Sequence, residues 1–362
     1  MKHNSLTSRE RVNLALSHQV PDRIPRAESF WPETIPLWHS QGLDVGTDLA
    51  TLFDYDIRGA GWVHHDARPG YVRIVDETPD WSIREDGNGA ILRYWRHKSG
   101  TPEHIGFTVT SADSWTALKR DLLAIPVEMR VDAYGALATM HRAHAEGRWF
   151  CWQGVECFEI AKDIVGHEVL CMAMADEPDW VVDLFETHTR LATEALDYLE
   201  RCGIRFDGAW IFGDIAYNHA PFCSPRMYRS LVMPSHARLA GWFKSRGLPV
   251  IYHTDGDLRQ LIPSFLEAGV DCLQPLEAKA NVDVRALKKE YGDRAAFMGN
   301  IDIMVLITND RSQIEAEVAG KVPAAMKNGG YIYHSDHSIP PGVTWETYQY
   351  LMELIDAYGA YH

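Results

Sequence analysis

Positive charge is in short supply. The chain has 35 Lys and Arg against 50 Asp and Glu, a formal charge of −15. A field of that sign argues against a nucleic-acid partner, whose phosphates need a basic surface. It leaves room for an anionic small molecule held by a few local arginines. Long apolar runs are also missing: none approaches the ~20 residues of a membrane span. The amino-terminal MKHNSLTSRERVNLALSH lacks an apolar signal core, so a soluble, cytoplasmic protein with no membrane partner is expected. The six cysteines, at 151, 157, 171, 202, 223 and 272, form no CxxC and no zinc-finger spacing. Free thiols in a reducing compartment are the expectation. GxGxxG, a P-loop, HExxH and GxSxG do not occur, which removes the dinucleotide, NTP, zincin and serine-hydrolase readings. There is no internal repeat, low-complexity tract or linker.

What is present suits one large fold. Of 362 residues 46% are apolar, ample for a buried core. Ser8 caps an amphipathic helix ending near His18. In PDRIPRAESFW two prolines frame a short strand carrying Arg23, Arg26 and Glu28. Residues 30–60 read as helical in pieces and bring Trp31 and Trp38, as packing residues or as rings at a pocket mouth. Over 71–110, YVRIVDET, WSIRED, AILRYWRH and EHIGFTVT alternate with period two between turn residues, the pattern of a β-meander insertion. From 132 the chain becomes regular. Helices are expected at 132–146, 177–202 and 225–246, with strands at 148–154, 207–214 and 249–252. The order strand, polar tip, helix predicts residues 1–362 as one α/β (β/α)8 barrel (TIM barrel) whose functional face is the carboxyl rim of its strands.

The stretch PVIYHTDG at 249–256 is the centre of that reading. Side chains alternate along extended backbone, so His253 and Asp255 converge while Gly256 turns the chain away. Other strands end in Asp214, Gln274, Glu277, Asn300, Asp302, His334, Asp336 and His337. In a parallel barrel these tips share one rim. Three imidazoles with several carboxylates suit zinc or a harder divalent ion, and they equally suit hydrogen-bonded acid–base work without a metal. His64-His65-Asp66, in a turn before the meander, reads as surface.

Several motifs together resemble the uroporphyrinogen decarboxylase superfamily: SRERVNLALSHQVPDRIP, GDIAYNHAPFCSPRMYRSLVMP at 213–234, HTDGD at 253–257, AGVDCLQPLE at 268–277, GNIDIMVLI at 299–307 and the closing GGYIYHSDHSIPPGVTWETYQYLMELI. The resemblance implies a (β/α)8 barrel with its site at the carboxyl rim. The decarboxylase branch has an arginine-rich RQAGRY motif that binds substrate carboxylates. Here the region reads RIPRAESFWPE, with only Arg23 and Arg26 to stand in. The other branch, corrinoid-dependent methyltransferases, holds zinc by HxC and a later cysteine. At those positions this chain has His253-x-Asp255 and His337, harder ligands that favour a Lewis-acid role toward oxygen or nitrogen.

The resemblance therefore implies, first, a methyltransferase moving a methyl group between a small molecule and a corrinoid protein. Its divalent metal, zinc foremost, would be held by His253, Asp255 and His337, with Glu277 fourth. Asp214 or His334 would act as acid or base, and Arg26, Gln274 and Asn300 would face the substrate. A cofactor-free decarboxylase of an acidic substrate, and a non-catalytic corrinoid- or tetrapyrrole-binding protein, are the alternatives.

Overall fold

The computed structural model describes residues 6–97 and 100–361. Residues 1–5 of the amino-terminal segment and 98–99 of the expected insertion lie outside the described residues. In chain order the strands are β1 (Ile57–Ala60), β2 (Arg73–Glu77), β3 (Trp81–Glu85), β4 (Ala90–Trp95), β5 (Glu103–Phe107), β6 (Trp149–Val155), β7 (Gly208–Phe212), β8 (Ala216–Tyr217), β9 (Ala220–Pro221), β10 (Val250–His253), β11 (Cys272–Gln274), β12 (Ala296–Met298) and β13 (Tyr331–Ile332).

Seven of these form one parallel sheet in the order β1-β6-β7-β10-β11-β12-β13. The proline-framed segment around Arg26 closes it as the eighth stave. Ala27 N–H donates to Tyr333 O at 3.1 Å, Tyr333 N–H to Pro25 O at 2.8 Å, and Asp56 N–H to Arg26 O at 2.8 Å. The result is the expected (β/α)8 barrel. The meander is also present, as an antiparallel sheet ordered β2-β3-β4-β5, inserted after β1. The sequence reading overlooked β1 itself, a four-residue stave inside what looked like helical fragments.

Two apolar layers hold the barrel. The interior is filled by Ala27, Ile57, Cys151, Trp210, Ile251, Cys272, Ala296, Met298 and Ile332, one or two from each stave, as the period-two alternation demands. Val12, Ala15 and Leu16 of the first helix (Ser8–Leu16) join this cluster and stopper the amino-terminal mouth. Truncating Ile251, fully buried at its centre, would cost about 2–5 kcal/mol through the cavity left behind. The outer layer packs helices on staves. Helix Pro178–Arg201 buries Val181, Leu184, Phe185, Ala192, Ala195, Leu196 and Leu199 as its stripe predicts.

Two local expectations are corrected. The first helix is capped by Thr7, in a reciprocal pair with Glu10, and not by Ser8. The helix expected over 225–246 is broken: Pro225–Met227 and Met233–Lys244 flank a π-turn at Tyr228–Val232. Pro234 brings no N–H to the helical ladder and its ring crowds the preceding turn.

Candidate active site

At the carboxyl rim lies a cavity of about 380 Å³. Its floor is the tip of β10. His253 Nδ1–H donates to Gln274 Oε1 at 2.6 Å, and the same oxygen accepts Trp210 Nε1–H at 3.2 Å. Gln274, only 2% exposed, thereby fixes the tautomer and leaves His253 Nε2 facing two carboxylates. Asp214 Oδ1 is 3.5 Å away and Asp255 Oδ1 is 3.8 Å away. From the far side His337 Nε2 approaches Asp255 Oδ2 at 3.6 Å, its ring stacked on Trp31 with centroids 6.0 Å apart and planes within 6°.

Gly256 completes the turn with φ +82°, and a Cβ there would strike the Ala216–Tyr217 backbone at 2.6 Å. That close approach brings Asp255 back toward β7, where its N–H donates to Asp214 Oδ1 at 2.9 Å.

The electrostatics follow from these contacts. Burial opposes charge on His253, but Asp214 and Asp255 outweigh it and raise the ring to about 9. For Asp214 burial is likewise overcome, by the His253 hydrogen bond and charge, and the carboxyl falls to about 2. Burial raises Asp255 above its ordinary value, with the Asp214 charge adding to it. His334 is pushed down to about 4 by burial, with the His253 and His337 charges adding to it, so it is neutral near pH 7. Its Nδ1–H donates to Ser335 O at 2.6 Å.

A divalent ion fits this constellation on one observation in particular. Asp255 Oδ1 is buried and has no hydrogen-bond partner, an arrangement that costs free energy unless something else binds there. Asp214, His253 and Asp255 each offer a donor atom within 4.8 Å of the others. Among the described residues one other set of three is as close, Glu156, Cys157 and His236. That set is already satisfied: Glu156 caps helix Cys157–Val165 through Phe158 and Glu159 N–H at 2.6 and 2.9 Å, and bonds His236 Nε2 at 2.5 Å.

The remaining rim residues divide by whether their hydrogen bonds are spent. Glu277, expected as a ligand, accepts Gly256 N–H at 2.6 Å and Lys279 at 2.8 Å, and ties two turns together outside the donor cluster. Asn300, expected to face substrate, is fully buried. It donates to Leu276 O and Val282 O at 2.6 and 2.7 Å and accepts Val284 N–H at 3.0 Å. Asp302 caps helix Ile303–Leu306, and Asp336 accepts Ala278 and Ile303 N–H. Arg26 points away from the cavity to Asp356 at 2.7 Å and lines a separate cavity with Arg23 and Asp54. His65, read as surface, is buried with its Nδ1 3.1 Å from that of His188.

Sequence reasoning passed over one prominent group, Glu28. Its side chain is fully buried beside His334, with Nδ1 and Oε1 3.5 Å apart. It accepts Ser335 Oγ–H at 2.7 Å, Tyr333 O–H at 2.9 Å and Ser29 N–H at 3.1 Å. Burial dominates and raises it to about 7. The available signal was that the proline-framed stave, like the others, ends in a polar residue. Trp210 and Phe212, two apart on β7, also line the cavity, and Trp31 takes the pocket role left open for it.

Comparison with known proteins agrees with this architecture. The family model described as uroporphyrinogen decarboxylase (URO-D) matches residues 157–358. A methylated-thiol–coenzyme M methyltransferase of Methanosarcina mazei is 31% identical over 86 residues, 24% of this chain and 22% of that protein. A uroporphyrinogen decarboxylase of Pelobacter propionicus is 26% identical over 185 residues, 50% of each chain. The chain thus aligns with half or less of these curated relatives' length. In overall shape it resembles a solved methyltransferase from Methanosarcina mazei, with a TM-score of 0.66 and 15% identity over 97% of this chain and 99% of that one; at that identity the likeness shows the fold. With more than half of its residues matched by the family model, the chain belongs to the uroporphyrinogen decarboxylase family.

Proposed function

We propose that this protein is a metal-dependent methyltransferase that moves a methyl group between a methylated small molecule and a corrinoid carried by a separate protein. The observation that carries the reading is Asp255 Oδ1, buried, without a hydrogen bond, and 3.8 Å from His253 Nε2. Asp214, His253 and Asp255 would hold the ion, with His337 on the open side. A divalent ion held by imidazole and carboxylate is a Lewis acid, and it would polarise the oxygen or nitrogen that carries the methyl group.

The chain's own residues supply the rest. Gln274 orients His253, and Trp31 and Trp210 wall the methyl donor. Asp214, held ionised, suits a ligand better than the acid or base expected of it. His334, neutral, with its Nδ1 proton committed to Ser335 O, presents Nε2 as an acceptor beside Ser29 Oγ at 3.5 Å. In the transfer the carbon–heteroatom bond breaks with its electron pair on the heteroatom. The methyl passes to the nucleophilic acceptor and the heteroatom then takes up a proton. Decarboxylation of a polyacid gains no support from the cavity, because Arg26 ends at Asp356.

Elemental analysis of chelator-washed, zinc-reloaded protein beside His253→Ala tests the reading, together with methyl transfer to reduced cobalamin. Stoichiometric metal lost in the variant, with transfer lost in parallel, supports it. Equal metal in both proteins would sink it.

A further inference from the structure

Glu28 reaches the ion site through one intermediary, Ser335, and what passes between them bears on His337, the group read above as standing on the ion's open side. We propose that Glu28 is a positioning residue for His337: while it carries a proton it lets Ser335 tether the His337 backbone, and on losing that proton it takes the tether away.

One hydroxyl stands between two oxygens. Ser335 Oγ lies 2.7 Å from Glu28 Oε1 and 2.6 Å from His337 O, in a residue with no exposed surface. A serine hydroxyl has one proton to donate and a backbone carbonyl has none. Both contacts can be hydrogen bonds at once only when Glu28 brings the second proton, its O–H donating to Ser335 Oγ while Ser335 donates to His337 O. Ionised Glu28 can only accept. A carboxylate outcompetes a neutral carbonyl for the same donor, so Ser335 then turns to Glu28 and His337 O is left without it.

The two ends of this link differ in freedom. Glu28 is fixed, since Tyr333 O–H holds Oε2 at 2.9 Å and Ser29 N–H holds Oε1 at 3.1 Å. His337 is not: its side chain is 29% exposed and only approaches Asp255, at 3.6 Å, with its ring laid on Trp31. A change at Ser335 is therefore felt at His337.

Burial raises Glu28 to about 7, which puts the exchange near neutrality. The other titratable groups around it keep one form there. Tyr331 and Tyr333 at the last stave, Tyr55 before β1 and Tyr348 of helix Trp345–Tyr358 are raised by burial, and His334 is lowered by it. The Arg26 charge, two residues away, is directed to Asp356.

The test is a titration of the His337 carbonyl by nuclear magnetic resonance, in the full chain isotopically labelled at histidine carbonyl carbon and serine amide nitrogen. Histidine precedes serine at His39-Ser40, His334-Ser335 and His337-Ser338, so the linked pairs give three signals, and Ser338→Ala identifies the one to follow. From about pH 5.5 to about 8.5 that signal should move upfield through a midpoint near 7 as the carbonyl loses its hydrogen bond. In Glu28→Gln, which cannot ionise, it should stay still. Should Glu28→Gln not fold, Ser335→Ala, which removes the tether, should hold it still as well. A signal that does not move in the parent, or that moves alike in either variant, would overturn the proposal. Methyl transfer to reduced cobalamin is read on the same proteins loaded with zinc. A carbonyl titration confined to the parent, without transfer, would remove the methyltransferase reading and leave the positioning of His337 standing.

Discussion

Gln274 Oε1 accepts the Nδ1 proton of His253 at 2.6 Å, and through that bond decides which nitrogen of the imidazole looks into the cavity. The residue two positions past the histidine, Asp255, is then within 3.8 Å of the free Nε2. Neighbouring strand tips thus complete one another: β11 orients the ring that β10 presents, and Asp214 after β7 supplies the second carboxylate.

Removing the orienting amide should weaken the ion without removing a ligand. Gln274→Ala is expected to lower zinc affinity by roughly 10–100-fold, the usual effect of losing a partner behind a ligating histidine. Competition against a chromophoric chelator measures it, with circular dichroism as the check on folding. Unchanged affinity would contradict the positioning role.

Ligands and ties should separate cleanly by mutation. Asp255→Ala should lose bound zinc, whereas Asn300→Ala should keep it and lose about 2–4 kcal/mol of stability, because three buried backbone groups lose their partner. Metal content and urea midpoints on the same samples distinguish the two. A normal midpoint with impaired substrate binding in Asn300→Ala would restore its expected role at the substrate.

Glu28 should make stability depend on pH near neutrality. Its carboxyl is raised by burial to about 7 in the folded chain, above its ordinary value of about 4.3. The folded state therefore holds the proton more tightly. The stabilisation is fully present below about pH 4.3 and is lost as pH rises through about 7, up to about 4 kcal/mol in all. Glu28→Gln should flatten this decline relative to the parent when urea midpoints are compared from pH 4.5 to 7.5.

The His65–His188 pair should act in the opposite direction. Both rings are buried and lowered by burial, His65 to about 3, with the Arg130 charge adding to each. The folded state resists protonation, so stability falls as pH drops below the ordinary histidine value of about 6.5, by roughly 1.4 kcal/mol per pH unit for each ring. His188→Phe should remove part of that acid sensitivity in thermal melts between pH 7 and 5. An unchanged slope would mean the pair is hydrated.

Local sequence signals made most of the barrel legible. Short apolar runs ending in polar residues marked β6, β7 and β10, as buried parallel staves require, and the period-two alternation of residues 71–110 marked the meander, because side chains project to alternate faces along extended backbone. Helix Pro178–Arg201 announced itself by its apolar stripe and Pro178. The stave β1 escaped because four residues, Ile57–Ala60, are too few to display a period. His65 escaped because its burial depends on His188, more than a hundred residues away.

By itself the sequence determined that polar tips would gather on one rim, and that His253 and Asp255 would point together there, since both are consequences of backbone geometry within a single strand and its turn. Which of the tips would share a cavity was decided only by the tertiary structure. Glu277, Asn300 and Asp336 have the same chemistry as groups that bind or react, but they are consumed by backbone N–H and C=O groups of neighbouring loops. Asp214, Gln274, Glu28 and Trp31 gained their places from the closure of the staves. A residue's availability depends on which partners the folded chain brings within hydrogen-bond reach, and those partners lie on other strands.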